Sequence, residues 1–154
     1  RSETNGGVLV VYGGNATFSN GSSIVNATSG NFAGAVSING GYGFFSGTSM
    51  HSVRCGLDGG AFYIAGGSVF VLRQCVFFNS TSARYGGFLY IYQGSATLVG
   101  SVMTNSTAAV DGGAIGMSTG SLTVSGCTVA NSSAERSAGT AYFENGVATI
   151  SGCS

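Results

Sequence analysis

Apolar and polar residues alternate along this chain in short runs, and Gly or Asn separates each run from the next. Alternation over a few residues places successive side chains on opposite faces and predicts β-strands. No apolar stripe recurs at 3.6 residues, and Gly, Ser, Thr, Val and Tyr dominate, so helices are not expected. The runs come in sets of three, and each set begins with a small pair, Gly-Gly or Ala-Gly. The pairs start at Gly6, Ala33, Gly59, Gly86, Gly112 and Ala138, with spacings of 27, 26, 27, 26 and 26. Three short strands per period, repeated in register, predict an all-β fold: a single-stranded parallel β-helix of about six coils, one domain over residues 1–154. One coil cannot bury its apolar face alone, so stacked coils share a continuous core. At about 4.8 Å per coil the stack is roughly 29 Å long.

The register assigns faces. In the first strand of each coil, Leu9, Val36, Phe62, Leu89, Ile115 and Ala141 are expected inward, and so are Val11, Ile38, Ile64, Ile91, Met117 and Phe143. Between them Val10, Ser37, Tyr63, Tyr90, Gly116 and Tyr142 are expected outward. In the second strand the inward file is Phe18, Phe45, Val71, Leu98, Val124 and Ile150, with Thr17, Phe44, Phe70, Thr97, Thr123 and Thr149 outward. In the third strand Ile24, Met50, Phe77, Met103 and Val129 point in. Tyr63, Tyr90 and Tyr142, with Phe88 and Tyr92 nearby, form a candidate contact surface, because an exposed aromatic patch commonly marks one.

The GGAF, GGFL and GGAI unit starts and the CVFFN and VMTN stretches resemble the repeats of polymorphic outer-membrane-protein adhesins. Those belong to the wider group of parallel β-helices of the autotransporter and pectin-lyase-like type. The resemblance spans essentially the whole chain and implies a right-handed parallel β-helix. Only Phe77 to Asn79 carries a clear Phe-rich version, and other units substitute Met or Val. That group includes passenger domains, lyases, epimerases and fibre proteins, so the fold alone does not fix an activity.

Composition narrows the partners. Of 154 residues, 28 are Gly, none is Pro or Trp, and only ten are charged, five of each sign. All five cations are Arg, and no Lys occurs. Without a basic stripe, nucleic acid is not an expected partner. Gly, Ser and Asn interrupt every apolar run, so no membrane-inserting helix is expected. The first and last units carry no obvious cap, and exposed coil ends invite end-to-end pairing.

Four cysteines occur. Cys127 and Cys153 are one period apart and share a register position. Adjacent coils bring such residues within reach of a disulfide, and a stack of buried free thiols is the alternative. A bridge between Cys55 and Cys75 is possible only across a corner. No CxxC occurs and His51 stands alone, so neither metal nor cofactor is expected. Six N-x-S/T sequons centre on Asn15, Asn20, Asn26, Asn79, Asn105 and Asn131, a density that suggests a secreted glycoprotein. Asn26, Asn79, Asn105 and Asn131 share a register just after the third strand. They read equally as an internal amide ladder or as an outward glycan column. Asn15, on the outward side of its strand, is the better glycan candidate.

The candidate chemistry is thin. Asp58 and Asp111 share a register two coils apart, and Arg84 and Arg136 precede the same corner in the intervening coils. This reads as an edge ladder of weak surface ion pairs rather than as a catalytic cluster, and no catalytic residue is assigned. Thr97, Thr123 and Thr149 form an outward file that would suit ice binding were it not interrupted. The leading expectation is therefore an extracellular or cell-surface structural protein, not an enzyme, which self-associates end to end into a fibre or appendage. An adhesin segment binding glycans or surfaces is the alternative, ahead of a polysaccharide-active enzyme or an ice binder.

Overall fold

The computed structural model describes residues 5–154 and forms a parallel β-solenoid of about six turns, with no helix among those residues. The first five turns contribute to three parallel sheets and the sixth to the first two. The first holds Leu9–Tyr12, Val36–Asn39, Phe62–Ala65, Leu89–Ile91, Ile115–Met117 and Ala141–Phe143. The second holds Asn15–Ser19, Tyr42–Ser46, Ser68–Arg73, Gly94–Val99, Ser121–Ser125 and Val147–Ser151. The third is built on Ser49–Cys55 and Val76–Ser82, each one bent strand, which the other turns of this sheet match with two shorter strands. In-register pairs such as Leu89 with Ile115 and Met50 with Phe77 set the predicted period directly.

Side chains at equal positions stack along the axis. Phe18 lies over Phe45 with ring centroids 4.8 Å apart and planes 9° from parallel, the spacing of one turn. The core is densest where Phe62 meets Phe45, Phe70, Phe77 and Phe88, at centroid separations of 4.6 to 5.7 Å. The predicted first- and third-strand files point inward along most of their length, and Phe143 in the last turn is exposed.

The small pair at each turn has a steric cause. The first member adopts positive φ, from 48° at Ala33 to 72° at Gly6, which Ala tolerates with strain and Gly without it. The second member lies against the backbone of the next turn. A Cβ at Gly60 would collide with the Gly87 carbonyl oxygen, and one at Gly87 with the Gly113 carbonyl oxygen. Only Gly fits there, so the pair reads Gly-Gly or Ala-Gly but never Gly-Ala.

Two expectations fail in the third turn and one in the fourth. Val71 is not in the inward file: Phe45 pairs with Leu72, and Leu72 with Leu98. Phe70, expected outward, is fully buried beside Ala96 and Leu72. The extra residue of this longer turn sits before the strand, in Ala65–Ser68, where Gly66 and Gly67 both have positive φ. Ser68 closes that turn: its hydroxyl donates to the Ala65 carbonyl and accepts from the Gly40 N–H at 2.9 Å. Phe88, placed on the contact surface by its sequence, is fully buried, 4.4 Å from Phe77. The N–H groups of Phe88 and Leu89 both donate to the Ala114 carbonyl, at 2.8 and 3.0 Å. The equivalent pairs in the other turns share an acceptor in the same way, so Phe88 belongs to the corner that leads into Leu89–Ile91 and not to the alternating strand, and its side chain turns inward beside that of Leu89.

Candidate functional site

The outer face of the first sheet gathers the exposed chemistry. Tyr63 pairs in register with Tyr90, and their rings lie 6.0 Å apart. Phe32 and Tyr85 join them from the corner that precedes each small pair. Phe32 lies 4.4 Å from Tyr63, and Tyr85 stacks on Tyr90 at 5.6 Å and 23°. Tyr92, at the end of the strand, is 48% exposed. Tyr90, expected on the surface, is covered to 8% exposure. Gly116 in the next turn explains this: it leaves room for the Tyr90 ring, whose Cδ2 lies 2.8 Å from where a Gly116 Cβ would stand. Tyr63 and Tyr142 are half-buried. Burial, reinforced by the Asp58 charge, pushes the Tyr63 and Tyr90 phenols up to about 12, so both remain hydrogen-bond donors at ordinary pH.

Two concavities flank the Tyr63–Tyr90 pair. One, of about 270 Å³, is bordered by Phe32, Ser37, Asn39, Tyr63, Tyr92 and Gln93. The other, of about 140 Å³, lies between Tyr85, Tyr90, Tyr142, Ser118, Arg136 and Glu144. In the second, the Ser118 hydroxyl donates to Glu144 Oε2 at 3.0 Å. Sequence reasoning missed Phe32, Tyr85, Asn39 and Gln93. The signal for the first two was present, because the corner before the pair reads Phe32, Asp58, Tyr85, Asp111, Ser137 and so alternates ring with carboxylate.

The carboxylates do not form a weak surface ladder. Asp58 is 2% exposed and Asp111 is inaccessible, and each is held by one Arg from the following turn. Arg84 Nε donates to Asp58 Oδ1 at 3.1 Å and its Nη2 to Oδ2, while the Tyr85 N–H donates to the same Oδ1 at 3.3 Å. Arg136 grips Asp111 in the same two-pronged way, with Nε to Oδ1 at 3.2 Å. Burial raises the Asp58 carboxyl above its usual range, against the opposing pull of Arg84. At Asp111 the Arg136 hydrogen bond leads and lowers the carboxyl. Asp58 is enclosed by central turns, whereas Asp111 lies nearer the last turn with fewer layers of protein around it. Neither carboxylate faces a groove.

The remaining predicted residues lie elsewhere. All four cysteines are free, so neither Cys127–Cys153 nor Cys55–Cys75 is bridged. Cys127 and Cys153 do share one file, with Thr48, Cys75 and Ser101. These five turn their side chains back onto the carbonyl two residues earlier, Thr48 to Ser46, Cys75 to Arg73, Ser101 to Val99, Cys127 to Ser125 and Cys153 to Ser151, and Ser22 in the same file reaches back to Ser19. The position calls for a small donor that closes a corner, which is why Thr, Ser and Cys interchange. Cys55 belongs to a different file, beside Ser82 on the third sheet, out of line with Cys75. Burial pushes its thiol up to about 12.

The Asn file is outside, not an internal ladder. Asn26, Asn79 and Asn131 are exposed and Asn105 half-exposed, all at φ near 55°, and Asn105 Nδ2 donates to Asn79 Oδ1 at 3.2 Å. Asn tolerates this left-handed conformation better than most residues. Asn15 and Asn20 are exposed as well. His51 lies on the outer face of the third sheet, 6.1 Å from the Phe78 ring. Among the described residues no three His, Cys, Asp or Glu side chains gather as metal ligands, and no helix is long and apolar enough to cross a membrane.

No protein-family profile matches the chain, and no curated protein or solved structure is significantly similar to it. What stands is the class, an all-β parallel solenoid whose turns follow the period read from the small pairs.

Proposed function

We propose that this protein is an extracellular structural element, a stiff β-solenoid rod that joins further coils end to end in a fibre or surface appendage. The observation that carries the reading is the unbroken register. Two parallel sheets run in register through all six turns and a third through the first five, over one continuous core. In the last two turns Ile115, Val124, Val129, Ala141, Ile150 and Cys153 line an apolar hollow of about 260 Å³. A parallel sheet edge over an apolar interior accepts a further coil of the same period, whether from the same chain or from another. The outward sequons and the absence of Lys support a secreted, N-glycosylated protein. Negative-stain electron microscopy over a concentration series tests the reading: rods that lengthen with concentration support it, and particles of constant length contradict it.

A second reading is favoured by the first-sheet face. Its aromatic rings and flanking polar concavities suit an adhesive contact with glycans or a surface, as the resemblance to adhesin repeats suggests. Changing Tyr63, Tyr90 and Tyr142 to Ser would abolish such binding, and unchanged binding would dismiss this face.

A further inference from the structure

The larger concavity on the first-sheet face has a definite chemical character. Ser37 is a small residue in a file that otherwise carries Tyr63 and Tyr90, and the missing ring leaves an opening beside Phe32 and Tyr63. The floor is Ala65 and Gly66, and the Asn39 Oδ1 lies where a Gly66 Cβ would stand. Any side chain at position 66 would displace this carboxamide. Three rings, Phe32, Tyr63 and Tyr92, and three carboxamides, Asn5, Asn39 and Gln93, border the opening. Among the described residues no carboxylate or cationic side chain lines it. The nearby Asp58 charge is buried and gripped by Arg84.

We propose that this concavity is a binding subsite for a neutral, equatorially substituted pyranose of a saccharide chain. The assignment rests on the second reading above, in which the first-sheet face is the contact surface. Such a sugar has apolar faces of axial C–H groups and a polar edge of hydroxyls. The rings match the faces, and a carboxamide donates and accepts at once, as neighbouring hydroxyls require. The Tyr63 hydroxyl stays protonated and adds a donor. Without a cation in the lining, a uronate or sialate would lose water around its carboxylate and gain no partner for it. A volume of about 270 Å³ falls just under the roughly 300–1,000 Å³ of pockets for drug-sized ligands, which suits one sugar ring. The saccharide chain continues along the solenoid axis over the Tyr63–Tyr90 pair toward the smaller concavity at Tyr142.

The test is titration calorimetry with hexasaccharides of β-linked glucose, xylose and N-acetylglucosamine, and with a galacturonic acid hexamer as the acidic probe. The proteins are the full chain, Tyr92→Ala, Gln93→Ala, Tyr142→Ser and, as a control on the third sheet, Phe78→Ala. Tyr92, Gln93 and Phe78 are all exposed, so their truncation leaves the fold intact, and circular dichroism verifies this. The expected result is binding of a neutral hexamer, weakened about tenfold or more by Tyr92→Ala, weakened by Gln93→Ala and unchanged by Phe78→Ala. Binding of the galacturonic acid hexamer alone overturns the assignment and leaves the contact face standing. So does neutral binding that resists Tyr92→Ala and Gln93→Ala but is lost with Tyr142→Ser. Binding of none of the four hexamers overturns the assignment and the glycan-contact reading together.

Discussion

Phe88→Ala is the most informative single substitution, because strand alternation puts Phe88 outside and the corner ahead of the strand puts it inside. The neighbours in its file, Ala35, Ala61 and Ala114, are fully buried, so alanine already fits this backbone and the change removes only the ring. The ring is fully buried, 4.4 Å from Phe77 and 5.5 Å from Phe62. An unrelaxed cavity on the order of 100 Å³ costs about 2.4 kcal/mol at about 24 cal/mol per Å³, and lost transfer free energy adds about 2 kcal/mol. The expected loss is about 4 kcal/mol. For a domain of this length each kcal/mol moves the melting midpoint by about 2–4 °C, giving a drop of roughly 8–16 °C. The assay is thermal unfolding followed by far-ultraviolet circular dichroism, with Tyr92→Ala as the exposed comparison, expected within about 0.5 kcal/mol of the parent. Equal midpoints for Phe88→Ala and the parent would refute the inward-facing corner and return Phe88 to the surface.

Other outcomes follow from the same geometry. Gly60→Ala forces a Cβ into the Gly87 carbonyl of the next turn and should prevent folding. Ala33→Gly, at the first position of a pair where Gly and Ala interchange, should shift stability by only about 1 kcal/mol; equal effects of the two changes in denaturant titrations would contradict the collision. Cys127→Ser should melt within about 1 kcal/mol of the parent, since Ser101 fills the same corner, and reductant should not move the parent midpoint. The two carboxylates should respond to pH with opposite sign. The lowered Asp111 carboxyl contributes stability above its usual value near 3.8 that disappears as pH falls through the folded value. The raised Asp58 carboxyl favours the protonated form, so its contribution is present in acid and is lost as pH rises through the raised value. Asp111→Asn should therefore cost more than Asp58→Asn at pH 7, with the gap closing below about pH 4 in melts across a pH series.

The period, the sheet count and most of the core were legible because a solenoid gives equal positions equal surroundings. Leu9, Val36, Phe62, Leu89 and Ile115 carry the same message five times over. What escaped was local. Two glycines in a row at Gly66 and Gly67 hid the place of the extra residue, and the faces of Phe70 and Val71 came out reversed. Phe88 lies in the corner just ahead of Leu89–Ile91, where strand alternation has not yet begun. The cover over Tyr90 depends on Gly116, its partner in the next turn. The cysteine file was read through its sulfur chemistry, whereas its common feature is a donor of small size. Of the candidate site, Tyr63, Tyr92 and Tyr142 were visible as strand positions. Phe32, Tyr85, Asn39 and Gln93 enter from corners, where no periodicity announces which way a side chain turns.

The account depends on successive turns lying in register, and nuclear Overhauser contacts in the isotope-labelled protein test this most directly. Backbone cross-peaks should link Ser95 with Ser121, Thr97 with Thr123 and Thr123 with Thr149, a ladder whose rungs are always one period apart in sequence. Cross-peaks joining these strands in antiparallel order, or out of step with that period, would contradict the solenoid and with it the site built on its face.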